Sequence, residues 1–97
     1  MYHSIATFTF REGTTASQVE ALAAALKTFA SGLEGVRSYS CGADMRLREG
    51  TDDFAVAATF DNEVALRTYL AHPEHAEISR LHVEPILAGK HNAQFIT

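Results

Sequence analysis

A second cysteine is missing from this sequence, so Cys41 cannot close a disulfide within the chain, and a reducing cytoplasm is the compartment expected of it. Missing too is any run of basic residues. With a formal net charge of −4, this argues against nucleic acid or anionic membrane as a partner. No stretch approaches the roughly 18 apolar residues of a membrane-crossing helix. The first apolar segment, MYHSIATFTF, runs into Arg11 and Glu12, which is not the pattern of a signal peptide. There is no linker, repeat or low-complexity segment, so residues 1–97 are read as one domain, long enough for a single core. Gly-rich phosphate loops, G-x-S-x-G and HExxH are all absent. Cys41, in SYSCGA, has no neighbouring feature that would lower its pKa, and reads as a half-buried strand thiol rather than a nucleophile.

What is present is strongly patterned. YHSIATFTF alternates, with Ser4, Ala6, Phe8 and Phe10 on one face and His3, Ile5, Thr7 and Thr9 on the other, predicting a strand. REGTTASQ leads into a helix capped by Thr15 with Gln18 or Ser17 with Glu20, whose stripe is Val19, Leu22, Leu26, Phe29 and Leu33. Gly32 or Gly35 ends it. VRSYSCGADMRL and DFAVAATF predict two further strands joined as a hairpin through REGTDD. DNEVALRTYLA predicts a second helix capped by Asp61 or Asn62. A short helix and a weak last strand through HNAQFI follow the His72–Pro73 break. The order β-α-β-β-α-β is the split-βαβ, ferredoxin-like α+β pattern.

The two sheet faces differ. Phe8, Phe10, Phe54, Val56 and Phe60 suit a face covered by helices. The other face, with Ile5, Thr7, Thr9, Ala55, Ala57 and Thr59, is small and uncharged, which is unusual for a sheet face left in water. A second copy of the same sheet is the economical cover, so a homodimer joined sheet to sheet is expected. The alternative is a partly wet Thr/Ala face on a monomer.

The segment YLAHPEHAEI concentrates the polar chemistry. Tyr69 and His75 are six residues apart, about 600° around an unbroken helix, and would not share a face. A break at Pro73 can bring them together, with His72 as the cap and His75 in the first turn of the new helix. The helix dipole there favours a neutral imidazole while Glu74 and Glu77 favour imidazolium, so the direction of the shift stays open. A neutral His75 suits a general base acting on carbon beside a carbonyl, and a Tyr69 hydroxyl suits the developing enolate oxygen. Equally, His75 can bond a backbone carbonyl and lock the corner, and Tyr69 can be a core aromatic. His72 reads as a cap. His82 and His91 read as exposed positions without a role. His72, His75 and Glu74 or Glu77 resemble part of a metal site, but the further ligand is missing, and neither metal nor cofactor is expected.

FTFREGT, then GVRSYSCG, then ATFDNEVALRTYLAHPEH closely resembles the stress-responsive dimeric α/β-barrel (Dabb) family across nearly the whole chain. The resemblance implies two ferredoxin-like subunits whose sheets close into a barrel with the helices outside. Several members look like stress-associated proteins without known chemistry. Another member type, the plant polyketide cyclase that forms olivetolic acid, uses a tyrosine and a histidine from the matching Y..HP.H segment, here Tyr69 and His75. Its two strand histidines fall on Ser4 and Phe54. The expected pocket, between helices and sheet, is lined by Ser4, Ala6, Phe8, Phe54, Val56, Tyr69 and His75. Its chemistry would be cofactor-free lyase or cyclase chemistry on a polyketide-like or phenolic ligand. The alternatives are a non-enzymatic stress-associated dimer or ligand binder, and a cofactor-free monooxygenase of phenols.

Overall fold

The computed structural model describes all residues, 1–97. Four strands, β1 (Tyr2–Phe10), β2 (Val36–Ala43), β3 (Phe54–Phe60) and β4 (Leu87–Ile96), form one antiparallel sheet in the order β2-β3-β1-β4. Helices α1 (Ala16–Ser31), α2 (Glu63–Ala71) and α3 (Pro73–Ile78) cover one face. This is the ferredoxin-like α+β arrangement predicted from the element order. Alternation sets the faces: in β3, Phe54, Val56, Ala58 and Phe60 are buried while Ala55 and Ala57 are exposed.

The helix ends follow their side-chain chemistry. Thr15 and Gln18 form the capping box of α1: the Gln18 amide N–H donates to Thr15 Oγ1 at 3.2 Å, and the Thr15 amide N–H donates to Gln18 Oε1 at 2.9 Å. Leu22, Leu26 and Phe29 lie on its buried face, whereas Leu33 falls beyond the helix end. Leu22 and Phe60 are fully buried, each stabilising the fold by about 1.5–3 kcal/mol. Asn62, rather than Asp61, caps α2, its Oδ1 accepting from the Ala65 N–H at 2.9 Å.

Two boundaries differ from expectation. β2 stops at Ala43 instead of continuing through DMRL. Asp44 Oδ2 accepts from the Arg46 N–H and the Thr51 hydroxyl, both at 2.8 Å, and the Arg46 guanidinium pairs with Asp53. Asp53 Oδ2 in turn accepts from the Phe10 N–H at 2.6 Å. These polar ties fold residues 44–53 into a longer connection than REGTDD, with Arg46 at a positive φ of 58°, while β2 and β3 pair antiparallel as the expected hairpin. β4 is longer than expected, because it pairs with β1 along its whole length.

Gly35 is required by both conformation and space. Its φ is +81°, and a Cβ there would lie 2.5 Å from Ala65 Cβ on α2. Gly50, at φ +82°, faces open space. Gly35→Ala is therefore expected to destabilise the protein by about 2–4 kcal/mol, from backbone strain plus overpacking. Gly50→Ala should cost only the backbone part, about 1–2 kcal/mol. Denaturant unfolding checks this, and equal losses in the two variants would contradict the role given to the α2 contact.

Candidate functional site

The cavity under the helices originates in the choice of residues along β1. Three cross-strand rows on the helix side read Phe54–Phe8–Lys90, Val56–Ala6–Asn92 and Ala58–Ser4–Gln94. Ala6 and Ser4 are small, so the middle of the sheet is left unfilled below α2 and α3. The resulting cavity has a volume of about 270 Å³, close to the lower end, roughly 300 Å³, of small-molecule sites. Phe8, Leu26, Val56, Ile78 and Val83 make its apolar walls, and Lys90, Asn92 and Gln94 line its β4 side.

Of the residues expected to line a pocket, Ser4, Ala6, Phe8, Val56, Tyr69 and His75 do so. Phe54 does not. It is 1% exposed and packs against Phe8 and Phe10, with ring centroids 6.0 and 5.9 Å away, so the Phe8 ring separates it from the cavity. Val56 reaches the cavity because its neighbour on β1 is only Ala6.

The corner that carries Tyr69 and His75 is built by His72 and Pro73. Pro73 has no N–H to continue α2, and it starts α3 as the first helical residue. His72 takes an extended conformation, φ −65° and ψ 133°, and its Nδ1 accepts from the Glu74 N–H at 3.0 Å. That bond fixes His72 as a cap, with Nδ1 unprotonated. α3 runs on into a wider π-type turn, Ser79–Val83, closed by the Glu84 N–H donating to the Ser79 carbonyl at 2.9 Å. Ser79 and Val83 of this turn also face the cavity.

The corner brings the Tyr69 and His75 rings to a centroid separation of 4.8 Å in an edge-on arrangement. Phe29 packs on both, at 5.8 Å from Tyr69 and 6.1 Å from His75. The side-chain hydrogen bonds here run between Tyr39 and Tyr69 and from the Glu74 N–H to His72, and the half-buried His75 ring takes part in neither. Glu77 is turned away to Arg80, with an Oε1–Nη2 distance of 2.6 Å. Burial, helped by the positive charge of Lys90, therefore holds the His75 pKa below its ordinary value, and the imidazole is neutral at pH 7.

Tyr39, on β2, was not singled out by the sequence pattern. Its hydroxyl lies 3.0 Å from that of Tyr69. Burial raises both phenol pKa values, and Tyr39 is also raised by its bond to Tyr69, whereas Tyr69 is lowered by the same bond. Either hydroxyl can donate in this bond, and with Tyr39 as the donor the Tyr69 proton is free for a ligand in the cavity. Both phenols stay protonated, so this pair can donate but cannot act as a base. The arrangement as a whole supplies a neutral acceptor, a phenol donor and a cation around a small, largely apolar space.

Cys41, by contrast, faces α1, with its Sγ 3.8 Å from the Ala23 carbonyl oxygen, and burial pushes its pKa up. It is the half-buried thiol that was expected. His91 lies on the open sheet face, 3.4 Å from Asp52, and His82 is half-exposed. No helix is long and apolar enough to cross a membrane.

The His75 shift has a consequence for stability. The unfolded residue titrates near ~6.5, whereas the fold favours its neutral form. The stabilisation is intact above that pH and is lost as pH falls through the depressed folded pKa. The denaturant midpoint is expected to fall between about pH 7 and pH 5, and to fall less in His75→Gln. Parallel pH profiles for the two proteins would contradict it.

Comparison with known proteins places this geometry in context. The model of the stress responsive A/B barrel domain, Dabb, matches residues 3–92. A dimeric ferredoxin-like protein of unknown function from Thermobifida fusca is 33% identical, with 99% of this chain and 90% of that one covered and a TM-score of 0.89. A Dabb family protein from Mesorhizobium loti is 16% identical, with 99% and 95% covered and a TM-score of 0.80. A hydroxynitrile lyase from Passiflora edulis is 13% identical, with 99% and 92% covered and a TM-score of 0.83. Among curated proteins, none matches the sequence. With the family model spanning nearly its entire length and a 33% identical relative sharing its fold, the chain belongs to the stress responsive A/B barrel (Dabb) family.

Proposed function

We propose that this protein is a homodimeric, cofactor-free acid–base catalyst that makes or breaks a carbon–carbon bond beside a carbonyl, on a small phenolic or polyketide-like substrate. The observation that carries the reading is the pairing of Tyr69 with a neutral, unbonded His75 on one cavity. The His75 nitrogen takes a proton from carbon next to a carbonyl, and the bonding pair moves into an enolate whose oxygen accepts the Tyr69 O–H bond. The enolate carbon attacks a second carbonyl, and the proton held by His75 returns to the new alkoxide. The reverse sequence is a lyase reaction. Electrons balance in both directions without oxidant or reductant. A positioned base of this kind is worth a rate factor of roughly 10² to 10⁴. A solved structure of the same fold, the hydroxynitrile lyase, carries a lyase activity and is consistent with this reading.

The test does not need the natural substrate. Aryl methyl ketones and short β-diketones are incubated with protein in D₂O, and loss of the α-hydrogen signal is followed by NMR. Exchange above buffer is expected for the wild type. It should fall by about 10²-fold or more in His75→Gln, with the melting temperature little changed at pH 7. Tyr69→Phe should also slow exchange, and should cost about 1 kcal/mol of stability from the lost bond to Tyr39. No exchange by the wild type, or equal exchange by His75→Gln, favours a ligand-binding role without chemistry.

The dimer rests on the open sheet face, where Ile5, Ala55, Ala57 and Ala93 stand among Ser, Thr and His side chains. Phe95, on the same face, is 46% exposed. Relatives of this fold from Thermobifida fusca and Jannaschia are described as dimeric. Ala57 lies at the middle of the face, paired with Ile5 and Ser40. Ala57→Glu would bury a charge in the proposed interface and is expected to give a monomer. Light scattering on the eluting protein checks this, and an unchanged dimer, or a wild-type monomer, would rule the interface out.

A further inference from the structure

Tyr39 meets Tyr69 through the register of the sheet. It faces the helices from the edge strand β2, and its neighbour on β3 is only Ala58, which leaves room for a phenol to lean across the row. The two rings meet edge-on with centroids 5.9 Å apart, and their hydroxyl oxygens are 3.0 Å apart. The other aromatic groups packed on Tyr69 are the rings of Phe29, Phe60 and His75. Tyr39 is thus the one side chain hydrogen-bonded to the Tyr69 hydroxyl. Tyr69 lines the cavity, and Tyr39 does not.

A tyrosine hydroxyl has one proton to give, and its oxygen can accept. If Tyr69 gives its proton to Tyr39, it can meet a cavity ligand only as an acceptor. If Tyr39 supplies the proton of their bond, Tyr69 keeps its own for the ligand. Burial holds both phenols in their protonated forms, so two protons are always present for the two oxygens.

We propose that Tyr39 is a positioning residue, whose hydroxyl donates to the Tyr69 oxygen and so commits the Tyr69 proton to a carbonyl or enolate oxygen in the cavity. This deepens the acid–base reading of the site and rests on it for the role of Tyr69 as a donor. The ligand itself enforces the direction. Once Tyr69 has given its single proton to the cavity, only Tyr39 can donate between the two phenols. The resulting chain of two bonds polarises Tyr69 and strengthens its donation, by an amount on the order of 10–30% per bond. As negative charge develops on the ligand oxygen, the Tyr39 bond stabilises the share of it that reaches Tyr69. Tyr39 touches no reacting atom and keeps its own proton throughout. The plainer role, an aromatic that fills the space above Ala58, needs the ring and not the hydroxyl, so Tyr39→Phe separates the two.

The probe is acetophenone labelled with ¹³C at its carbonyl, titrated into the full-length protein at pH 7. Its carbonyl resonance moves downfield as the hydrogen bond to its oxygen strengthens. A downfield shift is expected in the wild type, a smaller one in Tyr39→Phe and the smallest in Tyr69→Phe, with no further change in the double variant. A thermal melt verifies the fold of each variant. In the D₂O exchange assay, Tyr39→Phe is expected to slow the maximal rate by about two- to tenfold, as for loss of one hydrogen bond, with KM little changed. In the Tyr69→Phe background the same substitution should have no effect on the rate. Identical carbonyl resonances in wild type and Tyr39→Phe, equal effects of Tyr39→Phe in both backgrounds, or failure of the ketone to bind would overturn the role. The two ideas fail separately. A resonance that depends on Tyr39 without any wild-type exchange sinks only the catalytic reading, and exchange that needs His75 but ignores Tyr39→Phe sinks only this one.

Discussion

Everything at the cavity depends on the refusal of Pro73 to continue α2. A residue with an N–H at position 73 could bond the Tyr69 carbonyl and carry the helix onward, leaving residues 69 and 75 on different faces. Instead the His72 N–H takes that carbonyl at 3.4 Å, and the chain turns at an extended His72. It restarts with an imidazole as its cap. The proline supplies the break and the His72 side chain stabilises the restart, so neither residue needs to touch a ligand to control the site. The role of His72 is positional, and it is paid out at His75.

The corner also sets the protonation states. Phe29, Phe60 and Tyr39 enclose Tyr69 on the sides away from the cavity, and Phe29 lies against His72 and His75 as well. Aromatic packing withholds water from Tyr39, Tyr69 and His75 at once, and the consequence differs by chemistry. A phenol loses its charged form and remains a donor, whereas an imidazole loses its charged form and becomes an acceptor. One apolar environment therefore gives two complementary roles, and the positive Lys90 reinforces the second.

Much of this was legible in the sequence, and the parts that were not share a cause. Alternation in YHSIATFTF and DFAVAATF gives both sheet faces, and the Thr15–Gln18 spacing gives the cap of α1, because these signals are local. The Y..HP.H corner could be read from one proline. The expected place of Phe54 in the pocket failed because alternation tells which face a residue is on, but not which neighbour stands in front of it. Phe8 stands there. Tyr39 and the row of Lys90, Asn92 and Gln94 went unassigned because their meaning comes from register with β3 and β1, across long stretches of chain. The end of β2 at Ala43 has in part the same origin, since Asp53, which pairs with Arg46, is itself held by the amide of Phe10, 43 residues earlier in the chain.

β1 is the strand that joins these themes, because its two faces do different work. Ser4, Ala6 and Phe8 shape the cavity on one side, while Ile5, Thr7 and Thr9 present the small uncharged surface on the other. Ala6 and Ser4 weaken the core by leaving space, and in a small domain that loss has to be offset elsewhere. Cover for the opposite face is the available source, since burying Ile5 and the alanines of β3 against a second sheet adds apolar burial without filling the cavity. A monomer under selection for stability alone would place larger residues at 4 and 6. Their smallness is intelligible if the space itself is used, and the proposed dimer is what lets the chain keep it.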